Sequence, residues 1–138
     1  MTIWPVLAVV AALPPFSTAP KTAADTRDPA LLHDAAAACH ATFDRFVVQA
    51  DFNAPGYDIR YVGARRLRVV FKLAGGHNGR GTNFLPRTLT PMCPNLLQVT
   101  KTGDSAGVVS FRLTVRKHTG FRVFRLQNPR RVVIDVSH

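Results

Sequence analysis

The chain has 138 residues, enough for one domain with a buried core. Hydrophobic residues make up 46% of it and charged residues 19%, a balance that excludes a disordered chain and a membrane bundle. Eighteen lysines and arginines face eight acids, which gives a formal net charge of +10; all the acids are aspartate, and fourteen of the bases are arginine. This excess favours an anionic partner, although a GC-rich genome would also enrich arginine.

The first residues have the pattern of an export signal. Ile3–Leu13 is an apolar run of signal-peptide length, too short to span a bilayer as a helix, and small residues follow it. Cleavage is predicted after Ala19 or Ala24, and the second is favoured because Pro20 directly follows the first. We therefore expect a signal segment over residues 1–24, cleaved or retained, and a secreted or cell-envelope location. A buried N-terminal strand is the alternative, which the prolines of this segment disfavour.

A linker and one short helix are predicted over residues 25–38. The linker belongs to the polar stretch PKTAADTRD over residues 20–28. The segment DPALLHDAAAAC follows, with Asp28 as the helix cap and Pro29 at the first helical position.

From Phe43 onward, apolar residues alternate with polar ones in short runs, which is the pattern of half-buried strands. In the clearest run, Gly107–Lys117, every second residue from Val109 is apolar. The pattern predicts an all-β fold, a small two-layer antiparallel β-sandwich with seven strands. Their ranges are 43–52, 57–61, 66–73, 96–101, 107–117, 121–126 and 131–136.

A long glycine-rich interruption separates the third and fourth predicted strands. It covers residues 74–94, AGGHNGRGTNFLPRTLTPMCP, and its length predicts a mobile loop. The Gly75–Gly81 segment has some likeness to a phosphate-binding loop, but it lacks the Gly-Lys-Ser/Thr ending and no helical pattern follows it.

Cys39 and Cys93 are the only cysteines, and export into an oxidising compartment favours a disulfide between them. A bridge across 54 positions would stabilise the fold by about 4 kcal/mol through loop closure. Two buried free thiols are the alternative, because spacing alone does not show that the side chains meet.

Two stretches carry more specific motifs, CHATFDRFVVQADFNAPGYDIRYVG over Cys39–Gly63 and FRVFRLQNPRRVVIDVSH over Phe121–His138. With the GVVSF strand between them, they resemble the AMIN-like domain family of exported actinobacterial proteins. The resemblance implies a β-sandwich of two antiparallel sheets over residues 39–138. It also implies an envelope-targeting role in association with peptidoglycan, without catalytic residues.

The sequence predicts no catalytic, metal or cofactor site. It contains no glutamate for a zinc-amidase base, and its five histidines are scattered without a His-x-x-x-His pair; His40 and Asp44 are a close pair of a histidine and an acid. The pattern G-x-S-x-G occurs at Gly103–Gly107 as GDSAG, but a predicted strand follows it and not the helix that a nucleophile elbow requires. We therefore expect a protein that is not an enzyme.

Asp44 falls in the same strand phase as Phe46 and Val48, so its carboxylate is predicted to face the core, where it requires a partner. Arg125 or Arg131 are the expected partners. Asp44, Asp135 and these two arginines are therefore predicted to form a structural ion-pair set.

Several cations fall on the outward phases of predicted strands and are expected to bind carboxylates or phosphates. Either tyrosine of the second predicted strand would stack on sugars if it were exposed. The candidate ligand-binding residues are Tyr57, Arg60, Tyr61, Arg66, Arg68, Lys72, Arg112 and Arg116. A solvated face whose charge reflects codon bias is the alternative.

The favoured function is an exported, non-catalytic module that binds peptidoglycan or another anionic envelope polymer. A structural adaptor for an envelope protein is the alternative, and a basic nucleic-acid-binding domain is the third hypothesis. Nucleic acid is disfavoured because an exported protein rarely meets it and no recognition motif is present. Membrane contact is expected only through an uncleaved N-terminal segment.

Overall fold

The computed structural model describes residues 13–24, 28–77 and 83–138. The described residues form eleven strands: β1 Lys21–Ala23, β2 Ala30–Cys39, β3 Phe43–Asp51, β4 Gly56–Tyr61, β5 Arg66–Lys72, β6 Ala74–Gly75, β7 Thr88–Leu89, β8 Leu96–Ser105, β9 Val108–Val115, β10 Phe121–Leu126 and β11 Arg131–Ser137. Apart from Leu13, the apolar run of the predicted export signal lies outside the described residues. None of the described residues belongs to a helix that could cross a membrane.

The strands form two sheets, which confirms the all-β class. The six-stranded sheet has the order β1-β4-β5-β9-β8-β7, and the five-stranded sheet has the order β10-β11-β3-β2-β6. Every pairing is antiparallel except that of β2 with β6, which is parallel. Strands β3 and β4 belong to different sheets, so the turn at Ala54-Pro55 carries the chain from one sheet to the other.

Phenylalanines from both sheets form the centre of the core. The ring centroid of Phe46 on β3 lies 5.1 Å from that of Phe111 on β9, and Phe71 on β5 packs on the same Phe111 ring at 6.1 Å. All three side chains are at most 1% exposed. Burying one such side chain stabilises the fold by about 2–3 kcal/mol. Because side chains alternate along a strand, the period of two in the sequence places these residues in the space between the sheets.

All seven predicted strands are present, as β3, β4, β5, β8, β9, β10 and β11. The predicted helix over residues 28–38 is wrong, because Ala30–Cys39 forms strand β2. In β2, Ala35 lies opposite Val48 and Ala37 lies opposite Phe46 of β3. Pairing with β3 and β6 supplies the backbone hydrogen bonds of this segment, and this tertiary pairing overrides the weak helical preference of an alanine run.

The β-sheet body begins before the predicted boundary at Cys39. Lys21–Ala23, in the predicted signal and linker segments, forms the edge strand β1 and pairs with β4. Ser17 makes a further bridge to Phe121 of β10, and the ammonium of Lys21 lies 3.7 Å from the centroid of the Phe121 ring. The predicted loop over 74–94 likewise contains two short strands, β6 and β7, and its residues 78–82 lie outside the described residues.

The predicted disulfide between Cys39 and Cys93 is confirmed, with a Cα–Cα distance of 5.3 Å. Cys39 is the last residue of β2 in the five-stranded sheet, and Cys93 precedes β8 of the six-stranded sheet. The bridge therefore connects the two layers of the fold covalently.

Asp44 is fully buried, as its strand phase predicts, but neither expected arginine is its partner. The backbone N–H groups of Asn95 and Leu96 donate to its Oδ2 at 2.7 and 2.9 Å. His138 Nε2 lies 2.8 Å from its Oδ1. The carboxylate therefore holds the start of β8 and the C-terminal residue of the chain against β3.

Asp135 is also fully buried, and its partners are Arg45 and Arg122. The predicted pairing with Arg125 or Arg131 is wrong, because Arg125 donates to the carbonyl oxygen of Pro55 and Arg131 to that of Pro129. The sheet register explains the difference, since Arg45 and Arg122 lie directly opposite Asp135 on the two neighbouring strands.

Candidate functional site

Five cations share the outer face of the six-stranded sheet because β4, β5 and β9 are neighbours in it. Their apolar neighbours in sequence, such as Leu67, Val69 and Leu113, point inward and are fully buried. Alternation along each strand directs the intervening residues outward. We call this surface the basic face, and its cations are Arg60, Arg66, Arg68, Lys72 and Arg112.

Three of these arginines form a row across the sheet. Arg60 of β4 lies opposite Arg68 of β5, and Arg68 lies opposite Arg112 of β9. Neighbouring strands are only about 5 Å apart, so the three side chains leave the sheet side by side. Like charges in directly opposite positions destabilise a sheet. The row therefore concentrates positive charge at a place where the fold gains nothing from it.

One acid partly neutralises the basic face. Asp58 accepts two hydrogen bonds from Arg60, at 2.7 Å from Nε and 2.9 Å from Nη2. The bond from Arg60 holds the pKa of Asp58 below its ordinary value, and the charges of Arg60, Lys72 and Arg68 act in the same direction. Asp58 is the only acid at an outward position on the described strands of this sheet.

The other four cations of the basic face, Arg66, Arg68, Lys72 and Arg112, form no ion pair within the described part of the chain. Each of them is exposed to solvent. Their guanidinium and ammonium groups are therefore available to an anion from outside the protein.

Hydroxyl groups surround the arginines. Thr100 of β8 lies opposite Arg112, and Thr102 donates its hydroxyl hydrogen to Ser110 Oγ at 2.9 Å. A hollow of about 230 Å³ opens beside them, lined by Val62, Arg66, Arg68, Thr102, Phe111 and Arg112. Cations and hydroxyls together can hold an anion through charge-assisted hydrogen bonds. The candidate ligand-binding residues predicted from the sequence did not include these hydroxyls, although their strand phase is a signal that would have added them.

The two predicted tyrosines are not on the basic face. Tyr57 is buried, and its ring lies 5.3 Å below the guanidinium carbon of Arg125. Tyr61 donates its hydroxyl hydrogen to the carbonyl oxygen of Thr119 at 2.6 Å and stacks on His118. Burial raises the pKa of Tyr61. Both tyrosines are at inward strand positions, so neither ring is placed to stack on a sugar at the basic face.

Arg116, the last predicted ligand-binding residue, lies just beyond the end of β9. Its Nε donates to the carbonyl oxygen of Pro94 at 3.3 Å. Its side chain therefore contacts the segment before β8, at the margin of the basic face.

Two clusters outside the basic face carry groups that could ligate or titrate. Cys39, Asp44 and Cys93 place their polar atoms within 4.8 Å of one another, but the two sulfurs are joined in the disulfide and offer no thiolate. His77 Nδ1 lies 3.0 Å from Asp104 Oδ1, a pairing that the sequence did not signal because 27 positions separate the two residues. These residues line a hollow of about 380 Å³ beside β6.

Comparison with known proteins supplies a family. The AMIN-like domain model matches residues 63–138, a range that contains β5 and every later strand and more than half of the chain. No curated protein and no solved structure matches the chain significantly. The family indicates a module related to the cell envelope, and both the family and the disulfide are consistent with an extracytoplasmic location. The chain belongs to the AMIN-like domain family.

Proposed function

We propose that the protein is an exported, non-catalytic module that binds peptidoglycan or another anionic cell-wall polymer through its basic face. One observation carries the proposal. Arg66, Arg68, Lys72 and Arg112 lie together on one side of a β-sheet, exposed and without ion-pair partners among the described residues. Such an arrangement fits a repeating anion, because many weak contacts along one face add up to useful affinity.

Codon bias explains the number of arginines but not their placement. The pairing of β5 with β9 joins strands that are distant in sequence, and it sets Arg68 against Arg112 at a position where repulsion destabilises the sheet. The next outward residues along the same two strands, two positions away, are Val70 and Ser110, which shows that the sheet also accommodates uncharged side chains at outward positions. The arginine row is therefore better explained by a ligand than by the requirements of folding.

The test is co-sedimentation of the full-length chain with isolated peptidoglycan sacculi at low and at physiological salt. The double variant Arg68→Gln/Arg112→Gln removes the two arginines of the row that have no ion-pair partner among the described residues. Its matched control is Arg130→Gln/Arg131→Gln, which removes the same charge from the turn before β11 and from the first residue of β11, in the five-stranded sheet. We expect binding at physiological salt that falls at least about tenfold in the first variant and little in the control. Binding seen only at low salt, or lost equally in both variants, would mark a non-specific effect of net charge.

A structural adaptor for an envelope protein is the second candidate, and the edge strand β10 favours it. Beyond the bridge between Phe121 and Ser17, the free side of β10 has no strand partner in the described part of the chain. An open edge can accept an extended segment of another protein. A proline at Val123 would block such pairing, so loss of envelope association in Val123→Pro with the basic face intact would support the adaptor. A folded Phe124→Ala variant serves as the control for lost side-chain contacts on the same strand.

A further inference from the structure

We propose that the group recognised by the basic face is the phosphodiester of an anionic wall polymer, such as a poly(alditol phosphate), and not the sugar ring or stem-peptide carboxylate of peptidoglycan. This inference rests on the proposed function and names the ligand class of the same site. It is carried by the spacing of the cations, by the donors beside them and by the size of the hollow.

The cations are close together in both directions of the sheet. Arg68 and Arg112 are neighbours across the strands, about 5 Å apart at the backbone, while Arg66 and Arg68 are two residues apart on β5, or about 7 Å. An anionic chain that compensates such a patch must carry a charge every few bonds. Phosphodiesters of a short polyol repeat at that density, whereas peptidoglycan carries one stem peptide per disaccharide.

The donors beside the cations suit a phosphate group. Hydroxyls lie beside the arginines, with Thr100 opposite Arg112 and Ser110 accepting a hydrogen bond from Thr102. The non-bridging oxygens of a phosphodiester can accept from a guanidinium and a hydroxyl at the same time. No aromatic ring occupies an outward position on the described strands of this sheet, because Tyr57 and Tyr61 point inward. The platform on which a sugar ring would stack is therefore missing there.

The size of the hollow beside the arginines fits one charged group of a polymer. Its volume of about 230 Å³ lies below the 300–1,000 Å³ of pockets that enclose drug-sized ligands. It can hold one charged group and part of its linker, while the rest of a polymer would lie along the exposed face. Val62 at the rim gives the linker an apolar contact.

Asp58 is the one acid on the basic face of the described sheet, so removing its charge tests whether the face binds an anion. Its carboxylate is hydrogen-bonded to the guanidinium of Arg60, and none of the other four cations of the face forms an ion pair among the described residues. Asp58→Asn frees Arg60 and adds one cation to the row. Asp51→Asn makes the same change in net charge at the end of β3, in the other sheet. We expect Asp58→Asn to tighten binding of poly(glycerol phosphate) about threefold and to steepen its salt dependence, and Asp51→Asn to do neither.

The decisive experiment compares sacculi before and after hydrofluoric-acid removal of their phosphodiester-linked polymers. The full-length chain is added to both, with poly(glycerol phosphate), polyglutamate or single-stranded DNA as soluble competitors at equal charge concentration. We expect binding to fall at least about tenfold on the stripped sacculi. We also expect poly(glycerol phosphate) to compete best.

Each contrary result has a separate meaning. Undiminished binding to stripped sacculi that is lost in Arg68→Gln/Arg112→Gln would overturn the phosphodiester and leave the wall-binding module standing. Competition by polyglutamate equal to that by poly(glycerol phosphate) would also overturn it, because charge alone would then suffice. Stronger competition by single-stranded DNA would assign the basic face to nucleic acid. Absence of binding to both kinds of sacculi and to poly(glycerol phosphate) would overturn the proposed function itself.

Discussion

Arg68 of β5 and Arg112 of β9 occupy directly opposite positions in an antiparallel sheet, and Arg60 occupies the position opposite Arg68 on its other side. Asp58 is hydrogen-bonded to Arg60, while Arg68 and Arg112 form no ion pair among the described residues. Repulsion between Arg68 and Arg112 is therefore expected to lower the stability of the domain, and the proposed binding of an anion would relieve it.

Replacing Arg112 by threonine is expected to stabilise the free protein. The change relieves repulsion with Arg68 and places a β-branched residue opposite Thr100. We expect the free energy of unfolding in urea to rise by about 0.5 kcal/mol at low salt and by less at high salt, where charges are screened. Arg131→Thr, in the other sheet and opposite Gln49, is the control and should lack the salt-dependent gain. A stabilisation that does not respond to salt would contradict the assignment of repulsion.

Removing the bridge between Cys39 and Cys93 should destabilise the domain strongly. The bridge closes a separation of 54 residues and joins the two sheets. The double variant Cys39→Ala/Cys93→Ala is expected to lose about 4 kcal/mol of unfolding free energy, measured by urea denaturation. Wild-type protein under a thiol reductant should show a similar loss. A loss below about 1 kcal/mol would mean that the bridge constrains little in the unfolded chain.

Asp44→Ala should lower the folding yield without altering the basic face. The change leaves the buried N–H groups of Asn95 and Leu96 without their acceptor and removes the contact with His138. We expect a loss of about 3 kcal/mol in unfolding free energy. Asp44→Asn should lose less, since an amide oxygen can still accept from the backbone. Unchanged stability of the alanine variant would contradict this structural role of Asp44. Variant protein that does fold is expected to bind wall polymer as the wild type does.

Tyr61 makes the stability of the domain sensitive to high pH. Burial raises the pKa of Tyr61 above its ordinary value of 10.0, outweighing the opposing effect of the hydrogen bond that the backbone N–H of Thr119 donates to the Tyr61 hydroxyl oxygen. The folded state therefore favours the protonated phenol, and this contribution is fully present below pH 10.0 and is lost as the pH rises through the higher folded-state pKa.

Tyr61→Phe tests this contribution. At neutral pH the variant should be less stable than the wild type by about 1 kcal/mol, because the hydrogen bond to Thr119 is gone. Above pH 10.0 the difference between the two proteins should narrow, since only the wild type must keep this phenol protonated. A constant difference across that range would refute the link, and phenolate absorbance provides an independent reading of the titration.

The sequence allowed a correct prediction of elements long enough to show a period. Val109 to Val115 alternate over a full strand, so β9 was identified with both of its faces. Strands β1, β6 and β7 contain only two or three residues, too few for a period to appear. β2 was mistaken for a helix because its alanines favour a helix locally, while the pairing that makes it a strand comes from residues elsewhere in the chain.

The same distinction applies to the site. Strand phase predicted that Arg60, Arg68 and Arg112 point outward, and the structure confirms it. The ion-pair partner of a side chain depends on the register of the sheet and on which strands are neighbours. Neither can be obtained from the alternation along a single strand. Asp135 therefore pairs with Arg45 and Arg122, which its own strand does not contain, and not with the nearby Arg131.

Because β1 covers the edge strand β4, the position of any cut in the N-terminal segment would decide whether that edge stays covered. A peptidase cut after Ala24 would release a domain whose β4 edge has lost its cover, and that bare edge would act as a template for joining a second molecule. A cut after Ala19 would keep β1 on the same chain as its partner strand, although Ser17 and its bridge to Phe121 would be lost. Five residues of difference in the processing site would thus decide between a monomer with a covered sheet edge and a protein able to assemble into larger species.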